Sequence, residues 1–169
     1  MRISVSMRTL LATAVVVIVA ASAWVLVDWL VVTDTERIDG MLGEAAKAVE
    51  RKDLDFMVEK CLNADFKFGR LDREGWREWA KDAMTRFEVR NFKKYSAEIK
   101  VKGETAHATM RTFVSGGRIP GDVRLDWEIE LRKRDSEHWG MESVRVFFFL
   151  AGERREIDPE EILRHAGDY

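Results

Sequence analysis

Cysteine, proline and histidine are all scarce in this 169-residue chain, and each shortage excludes something. Cys61 is the only cysteine, so no disulfide can close within the chain and no thiolate zinc site can be built. It stands too far from the N-terminus to carry a lipid beside a signal sequence, and reads as a small buried apolar side chain. His107, His138 and His165 are the only histidines and show no metal-ligand spacing, so no metal and no cofactor is expected. Two prolines and short Gly-containing breaks exclude a disordered stalk, and no repeat or low-complexity tract is present. Charge of one sign is missing too. With 28 Lys and Arg against 30 Asp and Glu, the chain lacks the basic excess of a nucleic-acid binder. Ser115-Gly116-Gly117 has no strand-turn-helix setting for a nucleophile elbow, and no glycine loop opens a helix to cradle phosphate.

What the chain has in abundance is apolar sequence near its start. The run from Leu10 to Val32 is interrupted only by Asp28 and a few small or hydroxyl residues. As a helix it would rise about 35 Å, enough to cross a hydrocarbon core of about 30 Å. Val16 and Ile18 lie in a stretch with no polar face, and Trp24 and Trp29 stand where indole rings favour the membrane-water interface. Ala21-Ser22-Ala23 resembles a signal-peptidase site, but cleavage there would leave the apolar end Trp24 to Val32 uncovered. The reading is therefore an uncleaved anchor with the lipid bilayer as partner. Arg2 and Arg8 precede it while Asp34, Glu36 and Asp39 follow, which sets residues 1–9 in the cytoplasm and the rest outside it. The expected organisation is a cytoplasmic N-terminus over 1–9, a single transmembrane span over 10–32, one domain over 33–150 and a tail over 151–169.

The domain opens with helical patterns. Ile38, Met41, Leu42, Ala45, Ala46 and Val49 fall on one face of a helix running to Arg51, with Thr33 and Glu36 as a capping box. Asp53 is placed to cap a second, short helix with the stripe Leu54, Met57, Val58, Cys61 and Leu62. A short extended piece follows from Asp65 to Phe68. Asp72 caps a third helix bearing Trp76, Trp79, Ala80, Ala83, Met84 and Phe87, with Trp76, Trp79, Met84 and Phe87 expected to be buried against the inner face of the sheet that carries Trp127. The period then changes from helical to two. Tyr95, Ala97, Ile99 and Val101 alternate with charged residues, a turn at Gly103 leads into Thr105 to Val114, and Val123, Leu125, Trp127, Ile129 and Leu131 give the cleanest strand. A last strand runs from His138 to Leu150. Asp158-Pro159-Glu160-Glu161 begins a short C-terminal helix.

Helices followed by antiparallel strands indicate an α+β fold with a curved sheet packed on helices. The order resembles the nuclear transport factor 2-like superfamily, carried here by the helix Glu36 to Arg51, the break Lys52-Asp53-Leu54-Asp55, the short strand near Phe66, the Trp76 to Phe87 helix and the His138-Trp139-Gly140-Met141 entry to the last strand. With its leading anchor, the chain is similar to small membrane-tethered bacterial members. The resemblance implies a cone wrapped around the first helix. It also implies either a non-catalytic binding domain or an isomerase, dehydratase or hydrolase, in which an acid or base inside an apolar cone has its pKa shifted. No local motif matches those enzymes, so no catalytic residue is assigned.

Candidates for a pocket are Tyr95, Trp127, Trp139 and Asp65, with Tyr95 expected to hold its ring in the core and its hydroxyl at an edge. His107 alternates away from Ala106, Ala108 and Met110 and is expected to point out of the cone. Asp126, Glu128 and Glu130, among Arg124 and Arg132, read as a solvated face, and Arg132-Lys133-Arg134 as a soluble hairpin tip. Phe113, Phe147 and Phe149 are candidates for an interface through which the sheet pairs with a second copy or a protein partner. The expected function is an anchored, non-catalytic binding domain facing the extracytoplasmic side.

Overall fold

In the computed structural model the chain divides into two compact units, Met1–Thr33 and Asp34–Tyr169. The structure describes residues 32–117, 119–150 and 153–159, together with Val17. Among the described residues no helix is long and apolar enough to cross a membrane. The span expected over 10–32, with Leu10, Val16, Ile18, Trp24 and Trp29, lies outside the described residues apart from Val17 and Val32. The expected C-terminal helix likewise lies outside them beyond Pro159.

Helix α1 (Asp34–Arg51) buries Ile38, Leu42, Ala45 and Ala46 of the expected stripe, leaves its Met41 and Val49 half-buried, and buries Ala48 as well. Lys52, at a positive φ of 59°, turns the chain out of it. Asp53 then caps α2 (Leu54–Phe56), its carboxylate accepting from the Phe56 amide at 3.0 Å. The next turn widens into a π-helix, Met57–Cys61, after which Leu62 is already extended. Leu62 is therefore the first residue of β1 (Leu62–Phe68) and not the last of a helical stripe. The Asp72 carboxylate accepts from the Gly75 amide at 2.9 Å and starts α3 (Arg73–Arg86). Four long strands follow: β2 (Val89–Lys102), β3 (Thr105–Gly116), β4 (Ile119–Lys133) and β5 (Trp139–Leu150). A short β6 (Glu153–Glu156) comes last.

The sheet runs β1-β5-β4-β3-β2, with β6 also on β5. It is mixed and not purely antiparallel, because β1 pairs parallel to β5. β1 is in register with Met141 to Val144 and β6 with Phe147 to Leu150, so the two short strands share one edge of β5. β6 falls where only a tail and a helix were expected. Its sequence Glu-Arg-Arg-Glu is exposed throughout and offers no apolar period to detect.

Cross-strand register sorts the side chains onto two faces. Ala108 pairs with Ile129 and that with Val144, and Met110 pairs with Trp127 and that with Val146, all on the face toward α1. At one end this face is filled solid. Ile38 and Leu42 of α1 meet Ala106, Ala108 and Leu131, each 3% exposed or less. At the other end, beside the second half of α1, it is not.

Two expectations fail here for physical reasons. A bulge between Lys94 and Ser96 breaks the alternation of β2, so Tyr95 lies on the outer face, 71% exposed and edge-on to Phe113 at 5.7 Å. The third helix was expected to bury Trp76, Trp79, Met84 and Phe87 against the Trp127 face. Only Met84 is buried; the other three are half-buried. α3 docks instead on β1, Trp76 against Phe66 and Trp79 against Phe68 in edge-to-face pairs at 6.2 and 5.1 Å. Docking on the edge strand leaves α3 standing off the long strands.

Candidate ligand cavity

The space so left is a cavity of about 470 Å³, within the range typical of small-molecule sites. Ala45, Ala46 and Val49 of α1 form one wall, and Trp76, Trp79, Ala80 and Met84 of α3 another. Met110, Val114, Leu125, Trp127 and Phe148 form the sheet side, and Ile157, just after β6, lines it as well. Among the described residues every lining residue is Ala, Val, Leu, Ile, Met, Phe or Trp. The Trp127 indole donates to the Thr112 hydroxyl at 2.8 Å, and the Trp79 indole to the Pro159 carbonyl at 2.7 Å. Those two donors are thus engaged, and water finds few partners within such walls. The chemistry the cavity offers is shape and dispersion. No titratable side chain lines it among the described residues.

Of the four pocket candidates, Trp127 lines the cavity and the other three do not. Tyr95 is outside through the bulge. Asp65 is exposed on β1 and faces Arg132 at 3.5 Å. Trp139 is buried at 3% exposure but serves the start of α1, donating from its indole to Asp34 at 3.2 Å. Lys133 also bonds Asp34, at 3.0 Å, while its ammonium lies 5.7 Å from the centre of the Trp139 ring. The hydrogen bond from Lys133, then that from Trp139, holds the Asp34 carboxyl below the ordinary carboxylate range. Cys61 is 1% exposed, and burial pushes its thiol up to about 11, which leaves it inert as a nucleophile.

The outer face of the sheet is more organised than a simply solvated surface. Asp126 accepts from Arg111 at 3.2 Å and from Arg124 at 3.0 and 2.7 Å. Glu128 bridges Arg145 and Arg154, and hydrogen bonding to Arg154 is the main cause that lowers its pKa. His107 sits on this face, its Nδ1 3.0 Å from Glu130. Phe147 is buried beneath Arg154, whose guanidinium lies 3.6 Å from the ring centre. Phe149 stays 43% exposed with Arg124 at 4.6 Å, and Phe113 meets Tyr95.

The basic run at the end of β4 is structural rather than a soluble tip. Arg132 pairs with Glu142 as well as Asp65, and Lys133 with Asp34. Arg134 reaches the carbonyls of Glu59, Lys60 and Leu62 and the Asn63 side chain, satisfying the end of the π-helical turn. Its partners lie more than seventy residues away in the chain, which hides the role from sequence spacing.

The architecture is that of the nuclear transport factor 2-like, or cystatin-like, cone. A protein of unknown function from Nostoc punctiforme with a cystatin-like fold superposes with a TM-score of 0.61 at 12% identity, over 72% of this chain and 96% of that one. A dehydratase candidate of the NTF2-like family from Streptomyces avermitilis gives 0.57 at 18%, over 70% and 97%. Bd1075 of Bdellovibrio bacteriovorus gives 0.59 at 11%, and there this chain covers 71% of itself but 44% of the other. Likeness at such identities establishes the fold alone. No family model and no curated protein matches the sequence.

Proposed function

We propose that the Asp34–Tyr169 unit is a non-catalytic binding domain that holds an apolar ligand, or the hydrocarbon part of an amphiphile, inside its cone. The observation that carries this reading is the composition of the cavity wall. About 470 Å³ of partly open space whose described lining is aliphatic and aromatic throughout leaves apolar surface wet unless something apolar fills it. The competing reading, an isomerase, dehydratase or hydrolase, requires a proton-transfer group opening into the cone. The lining supplies none among the described residues, and the ordered carboxylates Asp126 and Glu128 lie on the opposite face of the sheet.

The test is quenching of tryptophan fluorescence by a dibrominated alkyl chain, since Trp76, Trp79 and Trp127 all line the cavity. Saturable one-to-one quenching is expected in the full chain. Ala46→Phe, which projects a ring into the cavity, is expected to weaken it by more than about tenfold, with the thermal midpoint unchanged or raised. Filling a void avoids the overpacking cost of about 1–3 kcal/mol that the same change incurs in a solid core. Quenching that never saturates, or that Ala46→Phe leaves intact, overturns the reading.

In the same proposal the domain is held at an extracytoplasmic membrane face by the apolar segment 10–32. The protein should then remain with membranes through alkaline carbonate extraction, and protease added to spheroplasts should digest the domain. Release of a soluble form beginning at Trp24 would identify a cleaved signal peptide instead.

A further inference from the structure

The apolar cavity has a polar neighbour. A second hollow, of about 330 Å³, lies between the α1–α2 junction and α3, and Met84 lines both spaces. On each bank the wall passes from apolar to cationic within one helical turn. Val49 of α1 lines the cavity, and Lys52, whose amide bonds the Val49 carbonyl at 3.0 Å, lines the hollow. Across from them Ala80 and Met84 of α3 line the cavity, while Lys81, three residues before Met84, lines the hollow.

The acids of the hollow are already engaged. Asp55 pairs with Arg77, and the Asp53 carboxylate caps α2 by accepting from the Phe56 amide at 3.0 Å. The ammonium groups of Lys52 and Lys81 make no ion pair or hydrogen bond among the described residues, and both side chains are exposed. Lys52, Arg77 and Lys81 against Asp53 and Asp55 leave one positive charge in excess.

We propose that the ligand of the cone is a long-chain carboxylate, its alkyl chain in the cavity and its head group in the hollow between Lys52 and Lys81. This ligand class rests on the cavity reading above. An alkyl chain suits described walls that offer only dispersion, and a carboxylate supplies the counter-charge that two ammonium groups lack. Met84 stands where the chain meets its head, and an unbranched thioether side chain adapts its shape at low cost.

The test is displacement of a neutral dibrominated alkyl chain from the full chain, read as recovery of tryptophan fluorescence. The competitors are decanoate, decanol and decyltrimethylammonium, which share a chain length and differ in head-group charge. Decanoate is expected to bind about fivefold more tightly than decanol, the scale of two partly exposed ion pairs, and the trimethylammonium more weakly than either. Bare hydrophobicity gives decanol the advantage instead, since a carboxylate costs more to take out of water than a hydroxyl. The preference for decanoate should shrink as salt is raised. Lys52→Met combined with Lys81→Met should abolish it and leave decanol affinity unchanged, which also reports that the variant is folded. Lys93→Met, exposed beside Phe113 on the outer face, should keep it. Equal affinity for decanoate and decanol, or a preference that the double variant retains, overturns the head-group site and leaves the cavity reading standing. Quenching that never saturates, or that no competitor reverses, overturns the cavity reading and the ligand class with it.

Discussion

Leu131→Ala is expected to destabilise the protein by about 4 kcal/mol, and Leu125→Ala, on the same face of the same strand, by about 1–2 kcal/mol. Leu131 is 1% exposed and packed in the solid end of the core with Ile38, Leu42 and Ala106. Truncating it opens a new hole among side chains that cannot collapse. Leu125 is half-buried and already borders the cavity, so its removal enlarges an existing void and forfeits fewer contacts. Guanidinium denaturation of the full chain, followed by tryptophan fluorescence, measures both. Equal losses would mean that the space beside Leu125 is packed in solution, and the cavity would fall with it.

Arg134→Met is expected to cost about 2 kcal/mol. Its guanidinium serves the Glu59 carbonyl at 3.0 Å, the Lys60 carbonyl at 3.3 Å, the Leu62 carbonyl and the Asn63 side chain at 2.9 Å. Bonds from a charged donor are worth more than neutral ones, and those acceptors would lose their partner together. Partial burial of the side chain pulls the guanidinium pKa below its usual range, although Arg134 as a whole is exposed. Gly140 belongs to the same device. A Cβ there would lie 2.2 Å from Asn63 Oδ1 and 2.6 Å from Arg134 Nε, while the Gly140 carbonyl accepts from the Asn63 amide at 3.1 Å. Gly140→Ala should therefore destabilise by about 2 kcal/mol, and the double variant by less than the sum. Full additivity in that cycle would show that the two residues do not act on one network.

Much of this fold is written in local periodicity. The stripe Ile38, Leu42, Ala45, Ala46 specifies α1, Asp53 and Asp72 specify where helices restart, and the alternation Val123 to Leu131 specifies β4 with its faces assigned. Those features need only neighbours three or four residues apart, or two, so sequence determines them. His107 on the outer face follows from the same alternation. What depends on long-range register was hidden. The bulge that turns Tyr95 outward arises from the pairing of β2 with β3, and the parallel partnership of β1 with β5 joins segments nearly eighty residues apart. The roles of Trp139 at Asp34 and of Arg134 at the π-helical turn join segments just as distant. The cavity is the clearest case. Its lining residues were legible as apolar faces, but an apolar side chain that touches a neighbour and one that borders a void have the same sequence signature. Only the seating of α3 on β1, away from Trp127, separates them, because that offset is set by which ring meets which across the tertiary fold.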